Sequence, residues 1–168
     1  MADPAQKARY QLYSKEERER RDRSHWTLVQ GVLAPLQFFI FLVRLGLVLR
    51  FLATGEGFVA ASVSIIAKTI TLYTIMVTGA IWEREVFGCY LFAPAFFWED
   101  VVSMAVIALH TAYLWAFFTD QLSAREQMLL ALAAYATYVI NAAQFLIKLR
   151  QARLQGRQDE QLMEGAPT

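Results

Sequence analysis

The chain has 168 residues, the size of one domain, and its 57% hydrophobic and 14% aromatic content against 18% charged residues excludes an ordinary soluble domain. Its net charge is +1, with the terminal basic residues interleaved with Glu and Asp, which argues against a nucleic-acid partner. One cysteine, Cys89, excludes an internal disulfide or a cysteine-built metal cage and reads as a small apolar filler.

Residues 1–26 form a charged arm, with KEERERRDR at 15–23 and no apolar face, so a solvated segment is expected there. Of the 16 Lys and Arg, seven precede Trp26 and four fall from Lys148 onward, leaving the middle almost uncharged. Ser24 is placed to cap a following helix, and Trp26 suits the headgroup level. Because the first apolar run begins only after this arm, no cleavable signal peptide is expected and the first helix itself directs insertion.

Four apolar segments follow in chain order: Thr27–Ala53 with Arg44 and Arg50, Phe58–Trp82 with Lys68, Val101–Thr119 with His110, and the uncharged Gln127–Ile147. A helix needs about 20 mostly apolar residues to cross the hydrocarbon core, and all four qualify. The expected fold class is all-α, a polytopic membrane protein whose four-transmembrane-helix bundle occupies 27–150, between the arm and a polar tail at 151–168. The short connections TGEG (54–57) and TDQLSARE (119–126) make neighbouring spans antiparallel. The stretch EREVFGCYLFAPAFFW (83–98), with Gly88, Pro94 and clustered aromatics, reads as an interfacial or re-entrant loop at the bundle mouth rather than a fifth span. Four spans put both termini on one side. The basic arm and tail mark that side, and the aromatic loop with it, as cytoplasmic.

Polar residues inside the spans recur at helical spacing. Gln30, Gln37 and Arg44 repeat every seven residues, and Lys68 and Thr71 open a face running toward Trp82 and Glu83. Glu99, Ser103, His110 and Tyr113 lie within about 40° of one line at about 100° per residue. Thr137, Asn141, Gln144 and Lys148 do the same in the last span. Four stripes imply one polar interior, although Gln, Asn, Thr and Ser also serve simply as interhelical glue. Arg44 and Lys68 need a carboxylate, a carbonyl or an anionic ligand at that depth, whereas Arg50 snorkels to an interface.

Carboxylates gather at one level, with Glu83 and Glu85 closing the second helix and Glu99 and Asp100 opening the third. Complementing the macrodipole is one account of Glu99 and Asp100. A carboxyl held among Phe96, Phe97 and Trp98 is instead desolvated, which favours the protonated form and makes it a proton donor. His110 reads either as a hydrogen-bonded packing residue or as a ligand to a magnesium tetrapyrrole.

The strings WTLVQGVLAPLQFFIFLV (26–43), LATGEG (52–57), MVTGAIWEREVFG (76–88), LFAPAFFWEDVVSM (91–104), ALHTAYL (108–114) and YVINAAQFLIKLR (138–150) resemble the 3-vinyl (bacterio)chlorophyllide hydratase family of bacteriochlorophyll biosynthesis. The resemblance runs from about Tyr10 to Arg153. It implies a lyase that adds water across the C3 vinyl group of a magnesium tetrapyrrole, giving a 3-(1-hydroxyethyl) product. It also implies a bacterial inner or photosynthetic membrane, lipid contact, and dealings with other bacteriochlorophyll-synthesis enzymes.

Such a hydration protonates the terminal vinyl carbon, and the macrocycle spreads the resulting charge. No cofactor of the protein's own is expected, since the substrate carries its magnesium. The reaction needs a general acid, a base for the attacking water and an apolar slot. The candidates are Glu99 or Asp100 as acid and Glu83 or Glu85 as base, or the reverse. On a regular helix Glu99 and Asp100 diverge by about 100°, and the shared line with His110 favours Glu99. His110 would ligate the substrate magnesium or hold the ring; Arg44, Lys68 or Arg84 would pair with its propionate; Trp82, Tyr73 and Tyr113 would stack on or edge it. The alternative from another class is a non-enzymatic pigment-binding or assembly protein.

Overall fold

The computed structural model describes residues 12–164; residues 1–11 of the arm and 165–168 of the tail lie outside the described residues. Among the described residues there are five helices and no strand: α1 (Lys15–Arg23), α2 (His25–Thr54), α3 (Phe58–Phe87), α4 (Phe97–Thr119) and α5 (Ala124–Glu164). Helices α2 to α5 are each long and apolar enough to cross a membrane, as the four apolar segments predict.

Local chemistry sets the boundaries. Ser14 and Glu17 close a capping box on α1. Ser24 ends α1 and caps α2, its Oγ accepting from the Trp26 N–H. Gly55 and Gly88 end α2 and α3 in the left-handed conformation that favours glycine.

Helix α2 packs on α3 and α4 on α5, and the two hairpins meet through both α2 with α5 and α3 with α4. The core seam holds Phe41, Val48, Ile65, Val106, Met128 and Ala131, while Phe39, Val63, Trp115, Phe118 and Leu146 point outward. Outward apolar side chains meet lipid, so association depends on close packing and interhelical hydrogen bonds. Gln30 Nε2 donates to Thr78 Oγ1 at 2.8 Å, Tyr113 Oη to Ser62 Oγ at 3.2 Å, and Asn141 Nδ2 to Ser103 Oγ at 3.0 Å and the Glu99 carbonyl at 2.9 Å. The polar stripes do turn inward.

Three helices run past their apolar segments. Helix α3 continues beyond Trp82 to Phe87, so Glu83 and Glu85 do close it, and α4 starts at Phe97, so Glu99 and Asp100 do open it; the aromatic connection, expected over 83–98, contracts to 88–96. The cause is burial of Glu83 and Val86, which keeps one face of α3 inside protein up to the Gly88 stop. Helix α5 continues beyond Ile147 because Lys148 and Gln155 still find protein partners.

The arm is not wholly solvated. Helix α1 buries nothing, as its composition predicts, but Tyr13 just before it is only 5% exposed. Its ring stacks 5.7 Å from Phe87, and Gln155 Oε1 accepts from the Leu12 and Tyr13 N–H groups at 3.1 and 3.4 Å. Arg20 Nε donates to the Val86 carbonyl at 2.7 Å. Burial pushes the Tyr13 phenol up to about 12, so it stays neutral at every physiological pH. A strap therefore lies over the end of α3. Tyr13→Ala removes its ring anchor. Limited trypsin digestion in detergent should cut faster near Arg20 and Arg21 while α2 to α5 stay protected. Equal cutting rates would show that Tyr13 does not hold the strap.

Candidate active site

The mouth where α3 ends and α4 begins carries two buried carboxyls, Glu83 at 5% and Asp100 at 3% exposure. Their side chains face one another across the ends of the two helices. Two ionised carboxylates that close and out of water repel, so sharing one proton between them relieves a like-charge pair. The 88–96 connection supplies the remaining partners. The Phe92 N–H donates to Asp100 Oδ2 at 2.7 Å and the next N–H, of Ala93, to Glu83 Oε2 at 3.2 Å. Successive N–H groups converge on the pair because Phe92 takes φ 60°, a left-handed conformation that makes a concave anion-binding turn. For a non-glycine residue that conformation costs about 1–3 kcal/mol, which the carboxyls help to offset.

An aromatic cluster packs at the same end of the bundle. Trp82 and Phe87 meet Phe96 at 5.5 and 5.8 Å between ring centroids, and Tyr13 covers Phe96 from the strap. Tyr90, Phe92, Phe97 and Trp98 remain exposed, forming a rim suited to the headgroup region.

Adjacent acids go separate ways, as about 100° per residue requires. Asp100 meets Glu83, whereas Glu99 faces Lys148 Nζ at 3.7 Å. Lys148 also donates to the Ala95 carbonyl, fixing the loop to α5. Thus the structure sets Asp100, not Glu99, against the α3 carboxyl, although Glu99 shares the His110 line. Glu85 is exposed and accepts from Ser24 Oγ at 2.6 Å, which ties the arm rather than joining the pair. Arg84 is also exposed, its guanidinium 4.8 Å from the Tyr90 ring centroid.

A second polar group lies deeper. His110 is fully enclosed, with Nδ1 2.8 Å from the Val106 carbonyl. A carbonyl only accepts, so Nδ1 carries the hydrogen and Nε2, which has no partner, presents a lone pair. Lys68 is equally enclosed, its ammonium 3.6 Å from the Tyr138 ring centroid and 4.9 Å from that of Phe41. Arg44 is half-buried, with Nη1 enclosed and without a partner. Tyr113 spends its hydroxyl on Ser62, and Tyr73 is bonded to Thr111 across α3 and α4. An open groove of about 400 Å³ along Ile70, Tyr73, Thr74, Val77 and Thr78 lies on the lipid flank of α3, away from the carboxyls.

Sequence reasoning missed five participants. Lys148 was visible only as the end of a stripe. Tyr135 and Tyr138, the aromatic neighbours of Lys68, recur with Asn141 at three-residue steps, a signal available beside a mid-span lysine. The Phe92 and Ala93 N–H donors leave no trace in residue type.

Four spans, with a buried carboxyl pair and an aromatic rim at one end, define an integral membrane protein. The comparisons make the class specific. Residues 13–151 match the family model described as 2-vinyl bacteriochlorophyllide hydratase, and the chain belongs to that family. It is 68% identical over 157 residues, 94% of this chain and 91% of the relative, to a 2-vinyl bacteriochlorophyllide hydratase of Rhodobacter capsulatus. To the protein of that name from Cereibacter sphaeroides it is 71% identical over 143 residues, 85% of this chain and 89% of the relative. No solved structure matches it. The family resemblance of the motifs is borne out.

The strained turn yields a direct check. Phe92→Gly relieves the left-handed backbone and keeps the N–H donor, so thermal unfolding in detergent should be unchanged or later. Phe92→Val places a β-branched residue there and should lower stability by about 1–2 kcal/mol. The reverse order would refute the strained turn.

Proposed function

We propose that this protein adds water to the ring vinyl group of a bacteriochlorophyllide, with Glu83 and Asp100 moving the protons. The observation that carries this reading is the buried carboxyl pair under the Phe92 and Ala93 N–H groups; we take the pair to share one proton, which relieves the repulsion of two like charges. The names of the relatives in the family supply the substrate class.

The protonated member gives its proton to the terminal vinyl carbon, and the positive charge left on the adjoining carbon spreads into the macrocycle. The ionised member takes a proton from water as the oxygen bonds to that carbon. One proton leaves the pair and one returns, so the product gains one water. Transfer between Glu83 and Asp100 then restores the starting arrangement. Two carboxyls in unlike settings suit this division: one at the end of α3, one in the first turn of α4, where a negative charge is favoured by the helix dipole. That dipole favours Asp100 as the ionised member and Glu83 as the donor.

The rim of Tyr90, Phe92, Phe97 and Trp98 offers apolar and stacking surface for a flat ring arriving from the lipid. From Asp100 to His110 is ten residues, about 15 Å of helix at 1.5 Å per residue. With the vinyl group at the carboxyls, His110 therefore stands at the level of the pigment's far edge rather than its magnesium. The basic residues of α1 and of the end of α5 favour the cytoplasm for this end of the bundle and for both termini. The bacterial source of the relatives supports residence in the cytoplasmic or photosynthetic membrane of a bacterium.

Incubating the detergent-solubilised protein with the 3-vinyl pigment should give a product heavier by one water, with its long-wavelength band shifted to the blue. Pigment that co-purifies unchanged would favour a carrier. Asp100→Asn and Glu83→Gln should each lower kcat by about 10²–10⁴-fold, the usual contribution of a general acid or base. Glu85→Gln, whose carboxyl is exposed and engaged by the arm, should stay near wild type. Full activity in both amide variants would remove the pair from the mechanism.

A further inference from the structure

We infer that Arg44, Lys68 and Tyr135 form an internal site for one small anion near the bilayer midplane. The carboxylate of the pigment's propionate side chain is the occupant that best fits it. Naming that occupant rests on the hydratase reading; the anion site itself does not.

Depth comes first. Lys68 is ten residues into α3 and Arg44 ten residues before the end of α2, each about 15 Å along its helix at 1.5 Å per residue, roughly half of a bilayer core of about 30 Å. Enclosure follows. Lys68 exposes 0%, Tyr135 2% and Gln37 2% of its surface. Lys68 Nζ, Arg44 Nη1, the Tyr135 hydroxyl, Gln37 Oε1 and His110 Nε2 are all buried without hydrogen-bond partners.

The set is a cluster, not a scatter. The Lys68 ammonium lies 3.6, 4.9 and 5.6 Å from the ring centroids of Tyr138, Phe41 and Tyr135, and the His110 and Tyr135 rings are 6.1 Å apart. Arg44 interacts electrostatically with both Lys68 and Tyr135. Three aromatic faces attract an ammonium but do not accept its hydrogen bonds as an oxygen would.

Charge decides what is missing. A guanidinium does not give up its proton in a protein, so Arg44 fixes at least one positive charge here. Among the described residues neither Arg44 nor Lys68 forms an ion pair; Lys148, the other interior cation, is already held by Glu99. A bilayer-depth cation without a counter-charge is costly, and a monoanion accepting from Arg44, Lys68 and Tyr135 satisfies three orphaned donors at once. Gln37 and His110, both acceptors, are left to the remaining ammonium hydrogens. One fixed positive charge on Arg44 calls for one negative charge, as a single carboxylate or a halide ion supplies. From Asp100 to the level of His110 is about 15 Å along α4. That spacing is on the scale of one macrocycle with its acid chain extended, so a vinyl group at the mouth and a carboxylate in the cluster belong to one bound molecule.

The test uses the full-length protein in detergent, in a halide-free buffer of a bulky organic sulfonate. Three probes are compared: the free-acid 3-vinyl bacteriochlorophyllide, its methyl ester, and sodium bromide. Thermal unfolding is read for all three, and KM and kcat for the two pigments. The free acid should raise Tm more than the ester, and its KM should be lower on the order of tenfold, the effect of a charge-assisted contact, with kcat little changed. In Lys68→Met and Arg44→Gln the two KM values should converge, while Lys68→Arg and Arg44→Lys should keep them apart. If the neutral variants fail to fold, the wild-type acid-to-ester comparison and the charge-keeping variants still decide. A Tm rise with bromide and equal KM values for acid and ester would assign the same site to a free halide. A Tm response to the free acid without turnover of either pigment would overturn the hydratase reading and leave the anion site standing. No Tm response to any probe, with equal KM values, would overturn the site.

Discussion

Two consecutive backbone N–H groups, those of Phe92 and Ala93, bind the carboxyls of Asp100 and Glu83, and the organisation of the mouth follows from that contact. It joins the end of α3 to the start of α4 through the connection between them, so one loop conformation fixes both acids. The loop is held from a second direction by Lys148, which donates to the Ala95 carbonyl and faces Glu99. A third contact comes from the strap, where Tyr13 stacks on Phe87. Buried acids are tolerated here because each accepts from a backbone N–H of the loop.

The same accounting governs the interior. In lipid no aqueous solvent competes for polar groups, so each interior polar atom either finds a partner or marks a place where one is due. Most of the stripe residues do find partners: Gln30 with Thr78, Tyr113 with Ser62, Asn141 with Ser103. Among the described residues, Gln127 and Gln144 apart, the exceptions concentrate around Arg44, Lys68, Tyr135 and His110. Their concentration in one place, away from the loop, separates this group in kind from the satisfied pairs elsewhere. The mouth holds negative charge with backbone donors; the midplane holds positive charge with aromatic faces.

Much of this was legible from residue order. The four spans, the antiparallel hairpins, the inward stripes and the Ser24 cap follow from hydropathy length, connection length and helical spacing, all local properties. The family was legible from strings such as FAPAFFWEDVVSM. Burial at the helix end near the loop was not. Glu83–Arg84–Glu85 looks like a wetted helix end, yet Glu83 and Val86 are buried and α3 continues to Phe87. The arm's composition is that of a solvated helix, yet Gln155, more than 140 residues away, captures the backbone of Tyr13.

By itself, then, the sequence determined the membrane class, the span count and the set of chemical groups available, because those depend on apolar length and on residue type. Which acid meets which was left open. Glu99 and Asp100 are adjacent and chemically alike, and either one satisfies a pattern argument. Tertiary structure decided it, through the relative rotation of α3, α4 and α5: Asp100 turns toward Glu83 and the loop N–H groups, Glu99 toward Lys148. Rotations between helices are set by packing and by partners distant in the chain. No local spacing encodes them.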